Sequence, residues 1–260
     1  MRTPKGKNNL PMKEIELIID LHKHVERQGP GSEEDTLRAL GMIDMPKGKD
    51  LLIADIGCGT GGQTITLARN TGAKIVAVDL FPQFLEVLEG NARRAGVQEQ
   101  ISTVAESMEA LSFGPETLDM IWSEGAIYSM GFEAGVNNWA KFLKPGGYLS
   151  VSEITWITRS RPSELQDFWE GEYPEIANAS KKIGILEDNG FTLMGYFILP
   201  PASWIQMYYQ PIERSFDQFL QRHNHSVMAN KVVESYREEI RMYQKYKAYY
   251  SYGFYIAKKI

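Results

Sequence analysis

Cysteine is nearly absent from this chain. Cys58 stands alone among 260 residues, so no intramolecular disulfide can form and a cysteine-built metal site has no support. Long apolar runs are missing as well: no stretch approaches membrane-spanning length. The first residues carry Arg2, Lys5 and Lys7 but lead into no apolar core of signal-peptide type. The expectation is a cytoplasmic protein with no membrane partner. An excess of positive charge is lacking too. With 33 acidic against 28 basic residues, the formal charge is −5, which gives no general attraction for nucleic acid or anionic lipid. There are no internal repeats and no low-complexity tracts. At 43% hydrophobic content, what remains suffices for one large α/β domain, or a core with a lid.

What the sequence does hold is concentrated in Leu51-Leu52-Ile53-Ala54-Asp55-Ile56-Gly57-Cys58-Gly59-Thr60-Gly61-Gly62. An apolar run, the pattern of a buried strand, stops in glycines. Ile65, Leu67 and Ala68 then return at helical spacing. Strand, glycine turn and helix place backbone N–H groups and a positive helix terminus against a polar ligand. Glycine admits the close approach that a side chain would block, and the small Cys58 reads as filler. Two ligand patterns fit at once. Gly57, Gly59 and Gly61 satisfy G-x-G-x-G, whereas Gly57, Gly59 and Gly62 satisfy the dinucleotide pattern G-x-G-x-x-G. Asp79, at the end of the next strand and roughly 20 residues on, is placed to accept hydrogen bonds from ribose hydroxyls. That fits NAD and S-adenosylmethionine (AdoMet) equally.

Around this stretch the chain divides into three. Residues 1–50 open with a loose tail to about Leu10. An amphipathic helix then runs from Met12 to near Gly29-Pro30-Gly31, and a second follows, capped by Ser32 with Glu33, Glu34 and Asp35 in its first turn. Over 51–153, strands at 51–56, 74–80, 101–105, 118–123 and 147–153 alternate with helices, the pattern of a parallel, doubly wound sheet. Over 154–260 the alternation breaks. Residues 154–177 show no period, 181–188 read as a helix, 191–199 as a strand, 200–247 as mostly helical and 251–258 as a last strand.

The later segments separate the two ligands. Ala105-Glu106-Ser107-Met108 follows the third strand, and Leu118-Asp119-Met120-Ile121-Trp122-Ser123-Glu124-Gly125 forms the fourth. Phe142-Leu143-Lys144-Pro145-Gly146-Gly147-Tyr148-Leu149 turns into the fifth, Asn189-Gly190-Phe191 into the sixth, and Phe254-Tyr255-Ile256-Ala257 falls in the last. Together and in order they resemble class I AdoMet-dependent methyltransferases, nearest to the small-molecule branch with helical lids. The resemblance covers 51–153 and the C-terminal strands, and thins out over 154–186 and 200–250. It implies a Rossmann-like α/β fold with a mostly parallel seven-stranded sheet, an antiparallel last strand, N-terminal helices and a helical lid.

The resemblance further implies AdoMet as cofactor, S-adenosylhomocysteine (AdoHcy) as product, and a small-molecule methyl acceptor attacked at oxygen or nitrogen. Gly57, Gly59 and Gly61 would admit the methionine part of the cofactor. Asp55 would fix the loop or face the cofactor's amino group, and Asp79 would hold the ribose. Glu106 would face the adenine, with the backbone of Ser107 and Met108 beside the ring; the family often carries Asp where Glu106 stands. The end of the fourth strand, Ser123, would lie beside the methyl group. Glu124 is the first candidate for a catalytic base, followed by Tyr128 and Glu153. The strand end lacks the Asn/Asp-Pro-Pro-Tyr tetrapeptide of amino-directed DNA methyltransferases, which argues against nucleobases. Two alternatives stay open: an NAD-dependent oxidoreductase, and a protein that binds AdoMet or AdoHcy without turnover.

Trp156, Trp169, Trp204, Tyr208 and Tyr209 fall in the expected lid. Aromatic walls could receive a flat or cationic ligand, although core packing accounts for most such residues. Tyr243, Tyr246 and Tyr250 recur at helical spacing, the mark of a packing face. His223 and His225, two apart with no third ligand nearby, read as surface residues, and no metal site is expected.

Overall fold

The computed structural model describes residues 12–45 and 50–260; the expected tail lies outside them. Apolar side chains at alternate positions of the strand Leu52–Ile56 (β1) go to opposite faces. Ile53 joins one core cluster, while Ala54 and Ile56 join another. The strand Leu118–Glu124 (β4) divides the same way, with Met120 and Trp122 on the first side and Leu118 and Ile121 on the second. Both faces are therefore apolar and both need cover, as a parallel sheet requires.

Cover comes from helices in chain order. Met12–His22 (α1) and Glu33–Leu40 (α2) precede β1, and Gly62–Thr71 (α3) leads to Lys74–Asp79 (β2). Pro82–Ala95 (α4) leads to Ile101–Ala105 (β3), and Phe132–Ala140 (α5) joins β4 to Leu143–Trp156 (β5). Ser163–Glu172 (α6), the short strand Ala177–Asn178 (β6), Ala179–Asp188 (α7) and Phe191–Ile198 (β7) follow. A helical run comes next: Pro201–Trp204 (α8), a π-helical turn over Ile205–Tyr209, Gln210–Arg222 (α9) and Val227–Tyr246 (α10). Tyr250–Lys259 (β8) ends the chain's regular structure.

The sheet order is β3-β2-β1-β4-β5-β8-β7, with β6 paired to β5. Strands β1 to β5 pair in parallel, and β8 inserts antiparallel between β5 and β7. This is the expected doubly wound sheet with one short extra strand. The order reverses at β1, so a crevice opens beyond the carboxyl ends of β1 and β4, where ligands of open α/β sheets bind.

Three boundaries differ from the sequence reading. Helix α1 stops at His22, and residues 23–31 continue without regular structure across the glycine turn. Strand β5 begins at Leu143 and reaches Trp156, longer than expected at both ends. The stretch that showed no period holds α6, which buries only Leu165 and so writes almost no apolar stripe. The aromatic residues of the lid are largely core, as packing would have it. Trp204 stacks on Tyr243 with ring centroids 4.4 Å apart and planes at 13°. Tyr243 and Tyr246 are buried on α10, and Tyr250 begins β8.

Candidate active site

Beyond the carboxyl ends of β1, β2 and β4 lies a cavity of about 270 Å³. Its floor is the turn from Gly57 to Gly59, and its roof is the N-terminal segment from Arg27 to Pro30. Asp79 stands at the end of β2, residues 106–109 follow β3, and Glu124, Gly125, Ala126 and Tyr128 follow β4.

The turn is bare because its neighbours leave no room for side chains. Gly57 adopts φ +75, and a β-carbon there would collide with that of Ala126. The expectation that its amides face a ligand is not met. Gly57 N and Cys58 N donate to Val78 O at 2.8 and 3.0 Å, and Gly61 N donates to Cys58 O at 3.0 Å. Gly59 N donates to Asp79 Oδ2 at 2.9 Å, and Thr60 N to Gln28 Oε1 at 2.8 Å. The following helix terminus is covered too: Thr60 Oγ1 donates to Glu26 O at 2.8 Å, and Glu26 O and Arg27 lie against Gly62. What the turn presents to the cavity is an uncluttered surface, with its N–H groups spent within the protein.

Of the residues singled out in the sequence, Gly57, Gly59, Asp79, Glu106, Ser107, Met108, Glu124 and Tyr128 border this cavity. Asp55, Gly61 and Ser123 do not. Asp55 is fully buried beneath the turn, where it accepts from Thr64 Oγ1 at 2.5 Å and from Gln63 Nε2 at 3.4 Å. Those two bonds fix the loop, the first of the two roles expected of Asp55. Burial pushes its carboxyl up to about 7, opposed by the Thr64 hydrogen bond and reinforced by the charge of Glu124. Gly61 caps α3 at φ +87, and a β-carbon there would stand inside the Leu88 side chain, so the turn and the helix packing both favour glycine. Ser123 is buried and donates to Ile56 O at 2.8 Å, which ties β4 to β1.

Glu124 is also tied down. Its Oε2 accepts from Arg27 Nη1 at 2.8 Å, and its Oε1 accepts from Thr36 Oγ1 at 2.7 Å and Trp122 Nε1 at 2.9 Å. Held by three donors, this carboxylate braces the N-terminal segment against the end of β4. Glu153 borders neither this cavity nor the one described below. It is fully buried, and its Oε1 receives Lys182 Nζ at 3.2 Å. Burial raises its pKa, opposed by the charge of Lys182. Asp79 accepts Phe81 N as well as Gly59 N, and burial raises its pKa against those hydrogen bonds. Glu106 accepts from Ser112 Oγ at 2.6 Å and Ser112 N at 3.1 Å.

The profile of the family described as "Methyltransferase domain" matches residues 53–147. That span begins in β1 and ends in β5, taking in the turn, Asp79 and the end of β4. Residues 53–147 form a class I methyltransferase domain. Methyltransferase GfsG of Streptomyces halstedii is similar to this chain, 31% identical over 114 residues that cover 43% of this chain and 40% of that protein. The chain spans less than half the length of such curated relatives. Two solved structures share the fold across nearly the whole chain. YjhP of E. coli has a TM-score of 0.82 at 19% identity, covering 94% of this chain and 99% of that one. A SAM-dependent methyltransferase of Geobacter sulfurreducens, in complex with S-adenosyl-L-homocysteine, has 0.81 at 14% identity, covering 97% and 99%.

The methyltransferase domain does not complete its cavity alone. Arg27, Gln28, Gly29 and Pro30 come from the segment before it, and no motif in that segment marks them. Their signal is conformational: a helix that ends early and folds back leaves no period to read. Asp79, Glu106, Glu109 and Glu124 line the cavity, with Arg27 the sole basic residue among the described lining, and Arg27 is paired with Glu124. Beside this cavity, sharing Gly29, Pro30 and Tyr128 with it, lies a second of about 60 Å³.

Proposed function

We propose that this chain is an AdoMet-dependent enzyme that transfers a methyl group to oxygen or nitrogen of a small molecule. The observation that carries the reading is the electrostatic character of the donor cavity. A dinucleotide needs free N–H groups for its pyrophosphate, and here the amides of the turn are spent while carboxylates line the walls. A cationic donor suits such walls; a pyrophosphate is repelled by them.

Bound AdoMet supplies an electrophilic methyl group on a sulfonium. The chain's own residues do the rest by placement. Gly57 and Gly59 would let the donor approach the main chain, Asp79 would accept from the ribose hydroxyls, and Glu106 with the backbone of Ser107 and Met108 would flank the adenine. Holding two reactants in line removes up to about 7–11 kcal/mol of barrier in the best cases, so positioning suffices without a strong base. Tyr128 borders both cavities, which supports a place for it beside the transferred methyl group.

Calorimetric titration with AdoMet, AdoHcy and NADH tests the reading. AdoMet and AdoHcy are expected to bind, with no NADH signal. Tight NADH binding without AdoHcy binding would overturn it. Saturating AdoHcy binding with no labelled methyl transfer in a broad metabolite screen would favour a protein that binds without turnover.

A further inference from the structure

The first cavity holds its charges in order across the sheet. Asp79 ends β2 and Glu106 and Glu109 follow β3, while Glu124 ends β4 on the far side of β1. The methyltransferase domain supplies no basic side chain to the described lining; the one cation there is Arg27, from the segment before it. Arg27 is held in place. Its side chain is only 8% exposed, and its stem lies against Gly62 at the start of α3. Its guanidinium donates through Nη1 to Glu124 Oε2 at 2.8 Å and through Nη2 to Thr36 Oγ1 at 3.3 Å. A guanidinium carries five N–H groups in a rigid fork, so among the described residues these bonds leave part of the fork for a ligand.

We propose that Arg27 receives the α-carboxylate of the donor's amino-acid end and thereby selects a carboxylated donor, an inference that rests on the methyl-transfer reading above. A donor with its ribose at Asp79 lies across the strands in the order β3, β2, β1, β4. Its amino-acid end then reaches the side where Arg27 and Glu124 stand. That end carries a carboxylate into a cavity walled by Asp79, Glu106, Glu109 and Glu124, where without a cation it would be repelled. The turn cannot receive it, because the N–H groups of Gly57, Cys58, Gly59, Thr60 and Gly61 are all bonded within the protein. A buried guanidinium offers two parallel N–H···O bonds that match a planar carboxylate. Its bond to Glu124 orders the fork before the ligand arrives, so little side-chain freedom is lost on binding. Recognition of the amino-acid end thus falls outside residues 53–147, on a segment that also walls the second cavity through Gly29 and Pro30.

The test is a calorimetric comparison, on the full chain, of AdoHcy with decarboxylated AdoHcy, the same molecule with hydrogen in place of the carboxylate. The parent is expected to bind AdoHcy at least about tenfold more tightly, the scale of charged hydrogen bonds. Arg27→Met is expected to abolish that preference without weakening the decarboxylated ligand. Arg27→Lys, which keeps the charge but loses the fork, is expected to keep part of it. A parent without the preference overturns the proposal, and this comparison needs no variant to fold. An Arg27→Met variant that weakens both ligands equally also overturns it, since the arginine then serves only to hold the roof. The outcomes separate the two readings. AdoHcy binding without preference removes the role of Arg27 and leaves the donor cavity standing. A preference lost in Arg27→Met, with no labelled methyl transfer in the metabolite screen, keeps the role and removes turnover. Binding of neither ligand overturns both.

Discussion

Two aspartates a strand apart show how position decides a carboxylate's work. Asp79 ends β2 at the cavity wall, with backbone N–H groups on both oxygens. Asp55 lies one layer beneath, shut off from the cavity. Replacing Asp79 by Ala is expected to weaken AdoHcy binding by about 1–3 kcal/mol through lost charged hydrogen bonds. Calorimetry reads this, and unchanged affinity would contradict the ribose assignment. Asp55 instead controls stability. In the unfolded chain it ionises near 3.8, but in the fold only near 7, because burial penalises the charge. Between those values the unfolded state alone gives up the proton, so its contribution falls as pH rises from about 4 to about 7 and is flat beyond. Asp55→Asn should remove that fall and stabilise the protein at pH 8 by up to about 4 kcal/mol, at about 1.4 per pKa unit. Parallel urea-denaturation curves for variant and parent across this range would contradict the account. The sequence could name both residues but could not rank their depth. Gly61 shows the same gap: glycines required by a ligand and by a packed Leu88 look alike in one sequence.

At the scale of elements, buried ion pairs join pieces that sequence reading kept apart. Arg27 and Glu124 pin residues 23–31 to the end of β4 at 2.8 Å. Lys182 of α7 is buried against Glu153 of β5 at 3.2 Å, its ammonium 4.6 Å from the Phe132 ring centre. Removing one partner of such a pair leaves a buried charge alone, which costs about 3–5 kcal/mol. Lys182→Met is therefore expected to lower urea stability by that amount. Adding Glu153→Leu should restore most of it, since two apolar groups then replace two charges. A double variant no more stable than the single would show that packing, and not the stranded carboxylate, was lost. Neither pair was legible beforehand, because each links residues far apart in the chain. The strands β1 to β4 were legible: short and mostly apolar, punctuated by glycine or acid, they can be read locally. Helix α6 was not, since one buried leucine makes no period.

Across the whole molecule, sheet order and cavity follow from one another. Reversal of strand order at β1 opens the crevice, the glycine turn clears its floor, and acids at the ends of β2 and β4 and after β3 line it. The N-terminal segment and the C-terminal helices then complete what the strands begin. Helix α1 packs against α9 and α10, so both ends of the chain contribute to the cover over the site. That arrangement explains why the stretch 51–153 was readable while the second cavity was not: its walls include parts of α6, the π-helical turn, α10 and β8, which meet only on folding. The central claim is that this crevice holds a cationic sulfur donor by its nucleoside end. The most direct measurement is a crystal structure of the full chain grown with AdoHcy. The account predicts the ribose hydroxyls within hydrogen-bond distance of Asp79 and the thioether sulfur beyond Gly57, facing Tyr128. A crevice empty at saturating AdoHcy, or a nucleoside bound away from Asp79, would contradict it.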